Sequence, residues 1–168
     1  MFDKFGEFNS AEEINKAAAA QFKEGDEAAI YTIAEENGID KEDAEDYMDG
    51  LVPELVTVRT AAIGKIKVEA KDLEIEGVLS TWKDILIEEC MENQELCIAV
   101  RRKDKKLLYC MSKLLRFSFE KKVQVSDKIV SVTKITHNGK EEAMRKPLYL
   151  GFPSKADTKK IIREYYLG

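Results

Sequence analysis

The sequence predicts a mainly α fold: a helical body with a small β-hairpin near the C-terminus. Three observations carry it. Apolar residues recur at helical spacing through most of the first 122 residues, with N-cap residues in front of several of these runs. β-Branched texture (KIVSVTKIT) appears only after Val123, and Asn138-Gly139 supplies a turn signal between that run and PLYLGF. At 168 residues, 44% hydrophobic and 35% charged, the chain has the composition of an ordinary globular protein.

Ser10, with Glu13 three residues on, opens a first helix that includes the Ala17–Ala20 run and closes at Gly25. Asp26 caps a second helix, EAAIYTIAEEN, and Asp40 a third, KEDAEDYMD, ending at Gly50. Residues 1–50 are thus predicted to form an acidic helical module and residues 51–168 the main body, whose C-terminal part is basic. The apolar positions of the module are too few for a large core, so it is expected to lean on the rest of the chain. Pro53 suits the first turn of a helix running to about Lys71, against the weakening effect of Gly64 and several β-branched residues. Leu79–Asn93 and Gln94–Lys103 follow as amphipathic helices.

The stretch from Arg101 to Lys122 is predicted to be the central core helix, because its apolar residues, Leu107 to Phe119, fill an arc of roughly 200°. Its opposite arc carries Lys105, Lys106, Tyr109, Lys113 and Arg116, with Arg101 and Arg102 just upstream. Residues 126–136 read as either strand or short helix. PLYLGF is the expected partner strand of the hairpin. Ser154 and Asp157 repeat the capping-box pattern before a last helix. There Ile161, Ile162, Tyr165 and Tyr166 point inward and Lys159, Lys160 and Arg163 outward.

Charge is segregated. Residues 1–51 carry 15 acidic and 4 basic side chains, residues 52–100 carry 10 and 5, and residues 101–168 carry 7 and 18, within a net −5. Such asymmetry speaks about partners more than fold. The basic strip on the Arg101–Lys122 helix, with Lys159, Lys160 and Arg163, has the makings of a phosphate-contacting or partner-binding face in which Tyr109 could stack. In the acidic module Glu42, Asp43, Glu45 and Asp46 form a candidate partner-binding surface able to mimic phosphate charge.

Catalytic chemistry finds little support. Cys90, Cys97, Cys110 and His137 lack the tight ligand pairs of a zinc site, so no metal is expected and the thiols read as buried core. His137 falls beside a turn, away from any nucleophile. Neither GxxxxGK[ST] nor GxGxxG occurs. The expectation is a chain with no catalytic residue and no cofactor. The first residues lack the basic and apolar regions of a signal peptide, and no apolar run reaches membrane-spanning length. With three cysteines, an odd number, this fits a reduced, cytoplasmic setting.

Two groups of residues together carry a resemblance. The first is MFDKFGEFNSAEEINKAAAAQ with EGD and ENGIDKEDAEDYMDG. The second is AVRRKDKKLLYC…LLRFSF followed by LGFPSKADTKKIIREYYLG. They resemble small proteins carried on phages and conjugative elements of Gram-positive gut bacteria, a group with anti-CRISPR members that inhibit the type II RNA-guided nuclease. The resemblance implies a non-enzymatic inhibitor of a CRISPR effector nuclease that binds the effector, the DNA, or both. The alternative it leaves is a nucleic-acid-binding accessory protein of a mobile element. Family members read LGIPG where this chain reads LGFPS, and the loop at 137–147 is longer and more charged here. No site residue is carried over from the family.

Overall fold

A computed structural model describes residues 3–168. The described residues are 62% helical, in nine helices with two small two-stranded antiparallel sheets near the C-terminus. The mainly α expectation is borne out.

Helix α1 (Ala11–Glu24) starts where the Ser10 hydroxyl accepts the Glu13 amide, and it stops at Gly25, whose φ of 71° is left-handed. The Glu13 carboxylate reaches back to the Asn9 amide at 2.7 Å, one residue further than a standard capping box. In α2 (Glu27–Glu36) Asp26 caps Ala29. Helix α3 (Lys41–Met48) departs from expectation: Asp40 precedes it but makes no cap bond, and its carboxylate faces Lys67 at 3.5 Å.

Helix α4 (Val58–Asp72) begins at Thr57, four residues after Pro53, because Thr57 and Thr60 cap each other's backbone amides. Gly64, which weakens the helix on propensity, is required by packing. A Cβ there would lie 2.1 Å from the Asn37 carbonyl oxygen, and one on Gly38 would lie 2.3 Å from the Gly64 oxygen. The backbones of α4 and the α2–α3 turn touch directly.

Helices α5 (Val78–Glu92) and α6 (Gln94–Arg101) meet at Asn93, whose side chain caps Leu96. Helix α7 spans Leu107–Glu120, so the stretch Arg101–Lys122 is not one helix. Arg101 ends α6, and residues 102–106 form the connection. Nor is α7 the central helix. That place belongs to α4, which packs against α1, α5, α6 and α7. Its Ala61 joins an N-terminal core with Ile14, Ile30, Ile33, Leu55 and Val56, while Ala62, Ile66 and Ala70 join a second core with Trp82, Leu86, Leu96, Leu107 and Leu114. Apart from its ends, only a narrow strip that includes Thr60, Lys67 and Lys71 is left exposed.

After α7, β1 (Val123–Gln124) is followed by the short α8 (Asp127–Val132) and then β2 (Lys134–His137). Both readings of residues 126–136 are therefore realised in succession. The Asn138-Gly139 turn has φ of 51° and 76°, as a two-residue hairpin loop requires. It joins β2 to β3 (Lys140–Ala143), pairing Ile135 with Glu142. PLYLGF is not the partner strand of that hairpin. Its β4 (Tyr149–Leu150) pairs instead with β1, Val123 opposite Leu150. The chain ends with α9 (Lys155–Leu167), started by the Ser154–Asp157 capping box and packed on α5, α6 and α7.

Candidate partner-binding surface

The sequence-predicted basic strip does not survive as a strip. Arg101 is 1% exposed. Its guanidinium donates to Asn37 Oδ1 at 2.5 Å and to the Ala61 carbonyl at 3.4 Å. Burial pulls it down to about 10, opposed by the carboxylates of Glu7, Glu69 and Glu13. Arg102 forks onto Asp104 at 3.0 and 2.8 Å. Lys105 donates to the Tyr165 carbonyl at 2.7 Å and lies over that ring, 5.3 Å from its centroid. The Lys106 ammonium is clasped by Glu7, while its backbone exchanges hydrogen bonds with the Tyr165 hydroxyl at 2.8 and 2.9 Å. Arg116 pairs with Glu120 at 2.6 Å and Lys160 with Glu164 at 3.9 Å.

Lys159 and Arg163 converge on Glu89, at 2.8 and 2.6 Å, which fastens α9 to α5. Burial would raise the Glu89 carboxyl, but hydrogen bonds from Lys159 and Arg163 outweigh it and hold the group below its ordinary range. A second buried group forms around Lys65 of α4, whose ammonium donates to the Arg102 and Lys105 carbonyls and faces Glu7 at 3.3 Å and Glu69 at 3.8 Å. Burial lowers Lys65 and raises Glu69, each against the pull of the other's charge. Glu7, Glu69, Glu89 and Lys65 carry no local motif in the sequence. The only signal for Lys65, Glu69 and Glu89 is a charge at a helix position that faces the core, and Glu7, ahead of α1, has none.

Of the nine cations marked by the sequence, only Lys113 has no ion pair or hydrogen bond among the described residues. It stands exposed beside exposed Tyr109. The acidic set is more open. Glu42, Asp43 and Asp46 are exposed, while Glu45 is half-buried, accepting from Lys41 at 3.0 Å and from the Tyr31 hydroxyl at 3.4 Å.

Another surface emerges in their place. Helix α7 packs on α4 and α9, which cover only part of its wide apolar arc. Leu108, Leu115 and Phe119 are left 50%, 47% and 69% exposed. At 100° per residue these three lie within about 40° of one another, a single stripe flanked on one side by Arg116 and Tyr109. The arm that follows also leaves apolar side chains uncovered. Between Lys121 and Pro153 only Val130 is buried, while Val123, Ile129, Val132, Tyr149, Leu150 and Phe152 are exposed. Gly151 seats the arm on the end of α7. A Cβ there would lie 2.3 Å from the Ser118 carbonyl and 2.6 Å from Lys122 Cα. Uncovered apolar side chains concentrated on one helix face and the arm beside it mark an interaction surface.

Cys90, Cys97 and Cys110 are buried, as expected. No group of three or more His, Cys, Asp or Glu side chains among the described residues is placed to hold a metal ion, and no described helix is long and apolar enough to cross a membrane. No protein-family model matches the chain, and comparison with curated proteins and with solved structures returns no match.

Proposed function

We propose that this chain is a non-catalytic inhibitor that docks on a type II RNA-guided DNA nuclease through the α7 face and the adjoining arm. The observation that carries the protein-docking reading is the uncovered stripe of Leu108, Leu115 and Phe119. Aliphatic side chains gain free energy only when apolar atoms cover them, about 25 cal/mol per Å², and a phosphate backbone has none to offer. Arg116 beside the stripe and the exposed Lys121 and Lys122 just past its C-terminal end favour a target patch that is apolar at its centre and acidic at its edge. The choice of target rests on the resemblance of the sequence to mobile-element proteins with anti-CRISPR members.

The alternative, a nucleic-acid-binding accessory protein, retains exposed Tyr109 beside unpaired Lys113. Two groups are a short track compared with the six to ten or so phosphate contacts of typical DNA binders, so this reading ranks second.

The test is DNA cleavage by the guide-loaded nuclease, preincubated with increasing amounts of this chain. Cleavage should fall to background near one equivalent, and the chain alone should not shift a short duplex at low salt. Undiminished cleavage at a large excess would overturn the target. Duplex binding that accounts for the inhibition would move the function to the second reading.

A further inference from the structure

Cys90 closes the last turns of α5 and Cys97 lies in the middle of α6, seven residues on. Asn93, extended at φ −130° and ψ 105°, breaks the two helices and folds α6 back. The break brings the two residues together. Cys97 Sγ donates to the Cys90 carbonyl at 3.0 Å, which places its sulfur against the residue that carries the other thiol. Cys97, itself only 1% exposed, lines an open pocket of 260 Å³ with Thr57, Val58, Arg59 and Gln94, so solvent comes up to the residue that carries this sulfur. Cys90 and Cys110 are 0% exposed, and Cys110 lies on α7 in the same core as Leu107 and Tyr166.

We propose that Cys90 and Cys97 are a redox-active dithiol that closes to an intramolecular disulfide, with Cys97 the sulfur that reacts first. The oxidant class is a hydroperoxide, hydrogen peroxide being the simplest. The Cys97 thiolate attacks one peroxide oxygen, the O–O bond breaks, and the departing hydroxide takes a proton to leave as water, giving a sulfenic acid. The Cys90 sulfur then attacks the Cys97 sulfur and loses its proton, and the sulfenic hydroxyl departs as a second water. Two thiols and one peroxide thus become one disulfide and two waters, a two-electron oxidation of the sulfur pair. A small dithiol reductant reverses it. Burial raises both thiols, while at Cys97 the contact with Cys90 and the Arg59 guanidinium pull the other way, in keeping with Cys97 as the first to react.

The experiment treats the full chain with hydrogen peroxide, then denatures it, alkylates free thiols and maps the peptides by mass spectrometry. Of the three thiols, the treated chain should retain one, Cys110, and dithiothreitol should restore all three. The rate should climb from about pH 7 to about pH 9, as thiolate chemistry requires. Cys90→Ser should trap Cys97 as a sulfenic acid that dimedone labels, and Cys110→Ser should leave the disulfide intact. Three alkylated thiols after a dose that oxidises free dithiothreitol would overturn the proposal. So would a linkage that includes Cys110 or joins two chains, or dimedone labelling confined to Cys110.

Discussion

Replacing Lys65 by Met tests the buried charge group that fixes the approach to α7. The Lys65 side chain is 1% exposed, and its ammonium holds the Arg102 and Lys105 carbonyls, the latter at 2.9 Å. Methionine fills nearly the same volume but donates nothing. Both carbonyls then lose a buried donor, and Glu7 and Glu69 lose a counter-charge. Breaking a buried pair from one side costs about 3–5 kcal/mol. Part of that is recovered here, since Glu7 keeps Lys106 and Glu69 keeps the Leu107 amide at 2.8 Å. The expected loss is therefore near the lower bound, about 3 kcal/mol, or roughly 6–12 °C in a chain of this size. Urea unfolding should give it as a lower midpoint with the m-value unchanged. Adding Glu7→Gln to Lys65→Met should cost less than Glu7→Gln alone, because one of the two cations that face Glu7 is already gone. A loss below about 1 kcal/mol, or full additivity of the two, would refute the reasoning that this charge is buried and pinned.

Gly64→Ala, stabilising by about 1 kcal/mol in an ordinary exposed helix, should here destabilise by about 1–3 kcal/mol in thermal unfolding, since its Cβ would enter the Asn37 carbonyl 2.1 Å away. Glu89→Gln should matter only where the carboxylate is ionised. Its folded pKa lies below the ordinary 4.5, so the stability it contributes is full above that value and lost as pH falls below it; the wild-type advantage in unfolding titrations should shrink in that acid window. Gly151→Ala should loosen the arm from the end of α7, raising hydrogen exchange over residues 121–153 while the cores stay protected.

Local chemistry was legible in the sequence. Ser10, Asp26 and Ser154 cap the helices they were expected to cap, because an N-cap is decided within four residues. The start of α4 was not, since its cap is a Thr57–Thr60 pair and Pro53 offered a more familiar signal. Gly64 misled for a related reason: its justification is a backbone 27 residues earlier, at Asn37. The arc on α7 records which residues are apolar and is silent on which side receives a neighbour; Leu108, Leu115 and Phe119 are left about half or more exposed. The basic strip dissolved through distant partners, Glu7 for Lys106 and Glu89 for Lys159 and Arg163, separated by 99 residues in the first case. Strand pairing failed similarly: the Asn138-Gly139 turn fixed its own hairpin, while β4 found β1 across 24 intervening positions.

Docking through α7 is tested most directly by Leu115→Glu/Phe119→Glu, with affinity for the guide-loaded nuclease measured by calorimetry beside the thermal stability of the free chain. Both side chains are largely exposed, so the unfolding temperature should barely change, while affinity should fall at least about 30-fold, the signature of a lost hot spot of 2 kcal/mol or more. A folded double variant that binds and inhibits like wild type would contradict the assignment of this face.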